Sequence, residues 1–151
     1  MPDYGHQRSS QRNPQKRQEQ QDVDVSELRQ KIEKYQRLRD LPAEELVDIA
    51  DRLGSYLKNQ NLKTSQVRRF LDGVRRIDVQ FDKGKSFNKD SIILLKPKLA
   101  YAAGRQSSVK PLMDVLDPAI SRSTDSYESF KKLLALIEGI MAYHKFHGGG
   151  D

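Results

Sequence analysis

Large apolar residues in this chain recur at intervals of three and four, with no sustained alternation of period two, and that spacing restricts the fold more than any other feature. After Lys63 the apolar set is Val67, Phe70, Leu71, Val74 and Ile77. At about 100° per residue all five fall on one side of a helix. Towards the C-terminus Tyr127, Phe130, Leu133, Leu134, Leu136, Ile137, Ile140, Met141 and Tyr143 trace a wide apolar arc. An arc that wide predicts a central helix covered on most sides by others. A third stripe, Leu46, Ile49, Ala50, Leu53 and Leu57, follows Asp40 and Pro42. Glu44, Glu45 and Asp48 lie near its start, where the helix dipole favours negative charge.

The remaining elements are shorter. Ser26 is placed to cap a helix carrying Leu28, Ile32 and Tyr35, with little else to back it. Thr64 or Ser65 would cap the helix of the first stripe. Residues 82–85, with Gly84, read as a turn. Residues 88–95 read as a short buried helix, after which Pro97 restarts the chain towards Leu99, Tyr101 and a stop at Gly104. Ala100, Ala102 and Ala103 predict close helix packing there. Ser108 would cap the next helix, with Pro111 in its first turn, Pro118 as a kink, and Leu112, Met113, Val115, Leu116, Ala119 and Ile120 as its buried side. Asp125 with Glu128 three residues later predicts a capping box for the last helix. The expected fold class is all-α, a compact bundle of about five to six helices packed helix on helix. The 151 residues suffice for one domain. Residues 1–24 are polar and nearly without hydrophobes, so a disordered tail is expected; 25–147 form the single helical domain, and 148–151 a flexible Gly-rich tail.

Several function classes fall away on composition. The chain has no Cys, which removes disulfides, thiolate nucleophiles and Cys-ligated metals together. Its mean hydropathy is −0.80, and its longest notable apolar run, Ile92 to Leu95, is far too short to cross a bilayer. With a polar N-terminus and no apolar signal region, the expected location is cytoplasmic, with no membrane partner. The three histidines are His6 in the tail and His144 and His147 at what reads as a frayed helix end. A pair three apart can bind metal, but no third ligand stands near. There is no glycine-rich phosphate loop and no serine nucleophile elbow. The expectation is a protein that is not an enzyme and needs neither cofactor nor metal.

Charge supplies the positive signal. The net charge is +6, yet residues 63–122 alone hold thirteen basic and six acidic residues, an excess of seven, while residues 1–24 balance. A localised positive field suits a polyanion, because each neutralised phosphate releases counterions. Arg68, Arg69, Arg75 and Arg76 fall on the helix half opposite the first apolar stripe, with only Asp72 among them and Lys63 at the start. Arginine favours phosphate because its planar fork makes bidentate hydrogen bonds. A second basic set, Lys96, Lys98 and Arg105, brackets Tyr101, and Arg105 stands one turn from that ring. A tyrosine so placed can stack on a base or sugar; taken alone, Tyr101 is expected to be half-buried against the alanines.

Three other readings stay open at this level. The arginines could be an ordinary solvated face with i,i+4 pairs. Residues 62–69, with Gln66 and two arginines, are similar to the start of a helix-turn-helix recognition helix of a DNA-binding regulator, although arginines continuing along the helix favour phosphate contacts that position without specifying sequence. The protein could also be a helical scaffold whose basic face meets an acidic protein.

Three segments carry a family resemblance: Thr64-Ser65-Gln66-Val67-Arg68-Arg69-Phe70-Leu71, then Leu94-Leu95-Lys96-Pro97-Lys98-Leu99-Ala100-Tyr101-Ala102-Ala103-Gly104-Arg105, and Ala142-Tyr143-His144-Lys145. With their spacing, from about Ala43 to Phe146, the chain resembles the small subunit of the type III-A CRISPR RNA-guided interference complex. The resemblance implies an all-α fold and a non-catalytic part in antiviral defence. Several copies would line up along crRNA paired with target RNA, beside other subunits that hold the guide and do the cutting. It also implies sequence-independent binding. By position, Lys63, Arg68, Arg69, Lys96, Lys98 and Arg105 match the family's basic residues; Arg75 and Arg76 are added by the helical-face argument.

Overall fold

A computed structural model describes residues 25–82 and 86–151. The expected disordered tail, His6 and Gly84 in the expected turn lie outside those residues. The described residues form seven α-helical segments and no strand: α1 (25–33), α2 (Ala43–Asn59), α3 (Thr64–Asp82), α4 (Lys89–Ile93), α5 (Leu95–Arg105), α6 (Lys110–Ser121) and α7 (Tyr127–Phe146). Two 3₁₀ turns, Leu38–Asp40 and Ser107–Val109, join α1 to α2 and α5 to α6.

α7 packs most extensively on α2, and then on α3 and the Leu38–Asp40 turn. The α2–α7 seam is tight because its residues are small. A Cβ built on Gly54 would lie 2.7 Å from the His144 backbone nitrogen, and one on Gly139 would lie 3.0 Å from the Ala50 Cβ. Backbone thus lies almost on backbone, an approach that only glycine permits. Around this seam Leu53, Leu57, Leu133, Leu136, Ile137 and Ile140 are fully buried, as the sequence stripes predicted. α1 contributes more than expected: Leu28 and Ile32 are fully buried in the same core.

Helix ends differ from expectation in instructive ways. α7 is capped by Ser126, whose hydroxyl accepts from the Ser129 N–H; Asp125 sits one residue too early and instead faces Arg39 at 3.7 Å. α6 follows a 3₁₀ turn and is not capped by Ser108, whose buried hydroxyl finds no partner. The helix continues through Pro118. α4 is capped by Asn88 but is not a buried helix: Ile92 is inside, while Ile93 and Leu94 are exposed. α5 starts at Leu95, so Pro97 lies within its first turn. α2 ends with Asn61 in the left-handed region (φ 62°), and the Leu62 N–H bonds the Leu57 carbonyl. α7 ends the same way at Gly148 (φ 100°), with the Gly149 N–H on the His144 carbonyl. The terminal glycines, expected as a flexible tail, therefore close the last helix, and the Gly150 carbonyl accepts from the Thr64 N–H at 2.9 Å.

Two polar clusters tie the periphery down. Lys31 reaches Asp48 at 2.7 Å, and Arg52 reaches both Glu27 at 3.0 Å and Asp48 at 3.5 Å, clasping α1 to α2. At the far end of α3, Phe81 packs against Phe87, Tyr127 and Phe130, with centroids 5.2 to 5.9 Å apart. There the Tyr127 hydroxyl donates to Asp78 at 2.6 Å, and that hydrogen bond holds the phenol above its usual range.

Gly54→Ala will destabilise the protein by about 1–3 kcal/mol in urea unfolding, because the methyl meets backbone. Gly73→Ala, in mid-α3 with nothing within 4 Å of the added Cβ, will instead stabilise it by about 0.5–1 kcal/mol. The Lys31 hydrogen bond holds the Asp48 carboxyl below its ordinary 3.8. The resulting stabilisation is full above that value and is lost as pH falls through the lower folded-state value. Asp48→Asn will remove that part of the acid-side loss measured below about pH 4, and since the pair is partly exposed the change will stay under about 1 kcal/mol.

Candidate nucleic-acid interface

The basic residues singled out by sequence divide into two groups once α3 and α5 are packed. Arg69 and Arg76 are seven apart and point the same way to within about 20°, as do Arg68 and Arg75. The second line leans towards α7: Arg75 lies 3.5 Å from Glu138 and 4.0 Å from Asp72. The first leans towards α5, where Arg69 lines a groove with Lys98, Tyr101 and Arg105. Arg69 and Arg75 thus meet different neighbouring helices. Lys96 is half-buried and lies 3.5 Å from Asp117 of α6. Arg75 and Lys96 therefore join helices together, whereas Lys63, Arg68, Arg69, Arg76 and Lys98 are exposed and make no ion pair among the described residues.

The groove has a volume of about 360 Å³. Its inner surface is apolar, formed by Leu62, Leu99, Val109 and Leu112, with Phe70 on the wall. Its mouth is polar: Arg69, Lys98 and Arg105 stand there, and the Gln66 amide donates to the Gln106 side-chain oxygen, linking α3 to the segment after α5. Tyr101 is 68% exposed, not half-buried against the alanines. The Arg105 guanidinium carbon lies 5.9 Å from its ring centroid, a surface cation–π contact. Gln106 did not stand out in the sequence, and Gln66 did so only within the helix-turn-helix-like run of residues 62–69. Gln66 also precedes Arg69 by three positions on one helix face.

The chain matches the family described as Csm2 Type III-A over residues 40–150. It belongs to the Csm2 family. It is also 32% identical over 123 residues to the protein named "CRISPR system Cms protein Csm2" from Streptococcus thermophilus, an alignment covering 74% of this chain and 98% of that relative. Csm2 membership makes the chain a small subunit of a type III-A CRISPR system. The matched span contains all nine residues of the candidate interface and leaves α1 outside.

The family segment that contains His144 has a structural use that its sequence did not reveal. His144 was read as lying at a frayed end; it is fully buried. Its Nε2–H donates to the Leu62 carbonyl at 2.6 Å, and its Nδ1 lies 3.2 Å from the Thr64 hydroxyl. Thr64 therefore spends its side chain on His144 and does not cap α3. This histidine fixes the turn between α2 and α3, and with it the start of the helix that carries Arg68 and Arg69. His147 bonds Asp51 at 2.6 Å, and no group of three potential metal ligands occurs among the described residues. His144→Ala will cost about 2–4 kcal/mol in equilibrium unfolding, since it leaves two buried polar groups unpaired and a cavity. Amide hydrogen exchange at 62–66 will rise first if the histidine holds that turn; unchanged exchange there would place its contribution elsewhere.

Proposed function

We propose that this Csm2 subunit performs no chemistry and grips the crRNA/target-RNA backbone, independently of sequence, in antiviral defence. The observation that supports this is the set of exposed cations along α3 and α5 without ion pairs among the described residues, three of which, Arg69, Lys98 and Arg105, share a groove. A backbone of regularly spaced phosphates suits such cations, and contacts to phosphate carry no sequence information. Its further partners are the other subunits of the effector complex and further copies of itself. A single copy would bind weakly, and affinity would come from repetition along the duplex and from neighbouring subunits. With sequence-tolerant contacts and a small basic surface, such a subunit needs neither cofactor nor metal, and it works in the cytoplasm.

Arg69→Glu with Lys98→Glu will weaken RNA binding about equally across unrelated sequences. It will also reduce the slope of log K against log salt by about 2, while the melting temperature barely moves because neither residue holds an ion-pair partner among the described residues. Reversing Arg75 and Lys96 instead will lower stability through their lost ion pairs and change the salt slope less. Equal effects of the two double variants on binding would count against this reading. Selection of one consensus sequence from a pool of duplex DNA would favour a DNA-binding regulator instead.

A further inference from the structure

The α3–α5 groove has two chemistries, and phosphate accounts for only one. Its mouth is cationic, but its inner surface is the apolar flank of Leu62, Leu99 and Leu112. A phosphate would lose hydration against that surface and gain no partner there. A flat, weakly polar ring would gain from it. Tyr101 points the same way. At 68% exposure it contributes little to the core, and it stands at the groove with Arg105 beside its ring. An exposed aromatic with an adjacent guanidinium is a stacking platform, and stacking tolerates any base because every base has a π-face. In a continuous duplex those faces are covered by neighbouring base pairs. They become available only where a nucleotide is unpaired or turned out of the stack. The groove's volume of about 360 Å³ lies at the lower end of the range for small-molecule sites, about 300–1,000 Å³. The amides of Gln66 and Gln106 offer both donors and acceptors to a base edge, so they need not select one base.

We propose that this groove takes the base of an unpaired RNA nucleotide, stacked on Tyr101, with the flanking phosphates held by Arg69 and Lys98. This rests on the reading of the subunit as an RNA-backbone binder and adds to it a preference for RNA with a base out of the helix.

The test uses the full chain at low salt and three RNAs carrying 2-aminopurine: a single strand, a full duplex, and a duplex in which the probe is one unpaired bulge. The single strand and the bulged duplex should show a fluorescence change on binding, and the full duplex none. Tyr101→Ala should abolish that change and weaken binding of the bulged RNA about 5- to 100-fold, leaving the salt slope as it was. Tyr101→Phe should restore both. If Tyr101→Ala matches the unsubstituted protein on all three RNAs while Arg69→Glu with Lys98→Glu still lowers the salt slope, the base site is wrong and backbone binding stands. If no RNA binds and the charge reversals change nothing, both readings fall together.

Discussion

The closeness of α2 and α7 is the constraint on which the other packing depends. With Gly54 against the backbone of Tyr143 and His144, and Gly139 against Ala50, the apolar faces of α2 and α7 meet at those points with almost no side chain between them. α3 and the Leu38–Asp40 turn pack on the α7 side of that pair. The α2–α7 contact places His144 where it can reach Leu62 and Thr64, so the direction in which α3 leaves the turn is a consequence of the seam. α3 then lays Phe81 on Tyr127 and Phe130 at the other end of α7, and the helix is held at both ends by one partner. A larger residue at position 54 would displace more than its own neighbours.

Much of this arrangement was legible in the sequence. The apolar stripes of α2, α3 and α7 are periodic, and periodicity survives without knowledge of the partner. What could not be read depended on contacts between segments far apart. Gly54 lies within an ordinary-looking helical stripe, and nothing local says that it faces a backbone. His144 was misjudged because its partners are 80 and 82 residues away. Asp125 and Ser126 are both good capping residues, and a shift of one position is below what pattern can resolve. The exposure of Leu94 and Tyr101 escaped notice for a related reason: residue type states a preference for burial, and topology decides whether there is anything to be buried against.

The charge pattern shows the same division. The sequence located the positive excess but could not sort its members. Arg75 and Lys96 neutralise acids on neighbouring helices, and so contribute to architecture. Arg69 and Lys98 have no such partner among the described residues and keep their charge for something outside. Helical spacing placed Arg68, Arg69, Arg75 and Arg76 together on one half of α3. Arg69 and Arg75 are separated by which neighbouring helix each one meets, a fact that belongs to the packed molecule and not to α3.

The hydrogen bond from Thr64 to Gly150 bears on the order in which the molecule assembles. The first turn of α3 is completed by groups that lie far along the chain, so it closes a long loop, and loops of that kind form late because their entropy must be overcome before the contact is made. α2 and α7 can each wind up locally within microseconds. The junction that aims α3 must wait until α7 has docked and Gly148 has turned the chain back. The arginine-bearing helix is thus oriented only when nearly everything else is in place, and a partly folded chain would present its arginines in the wrong register.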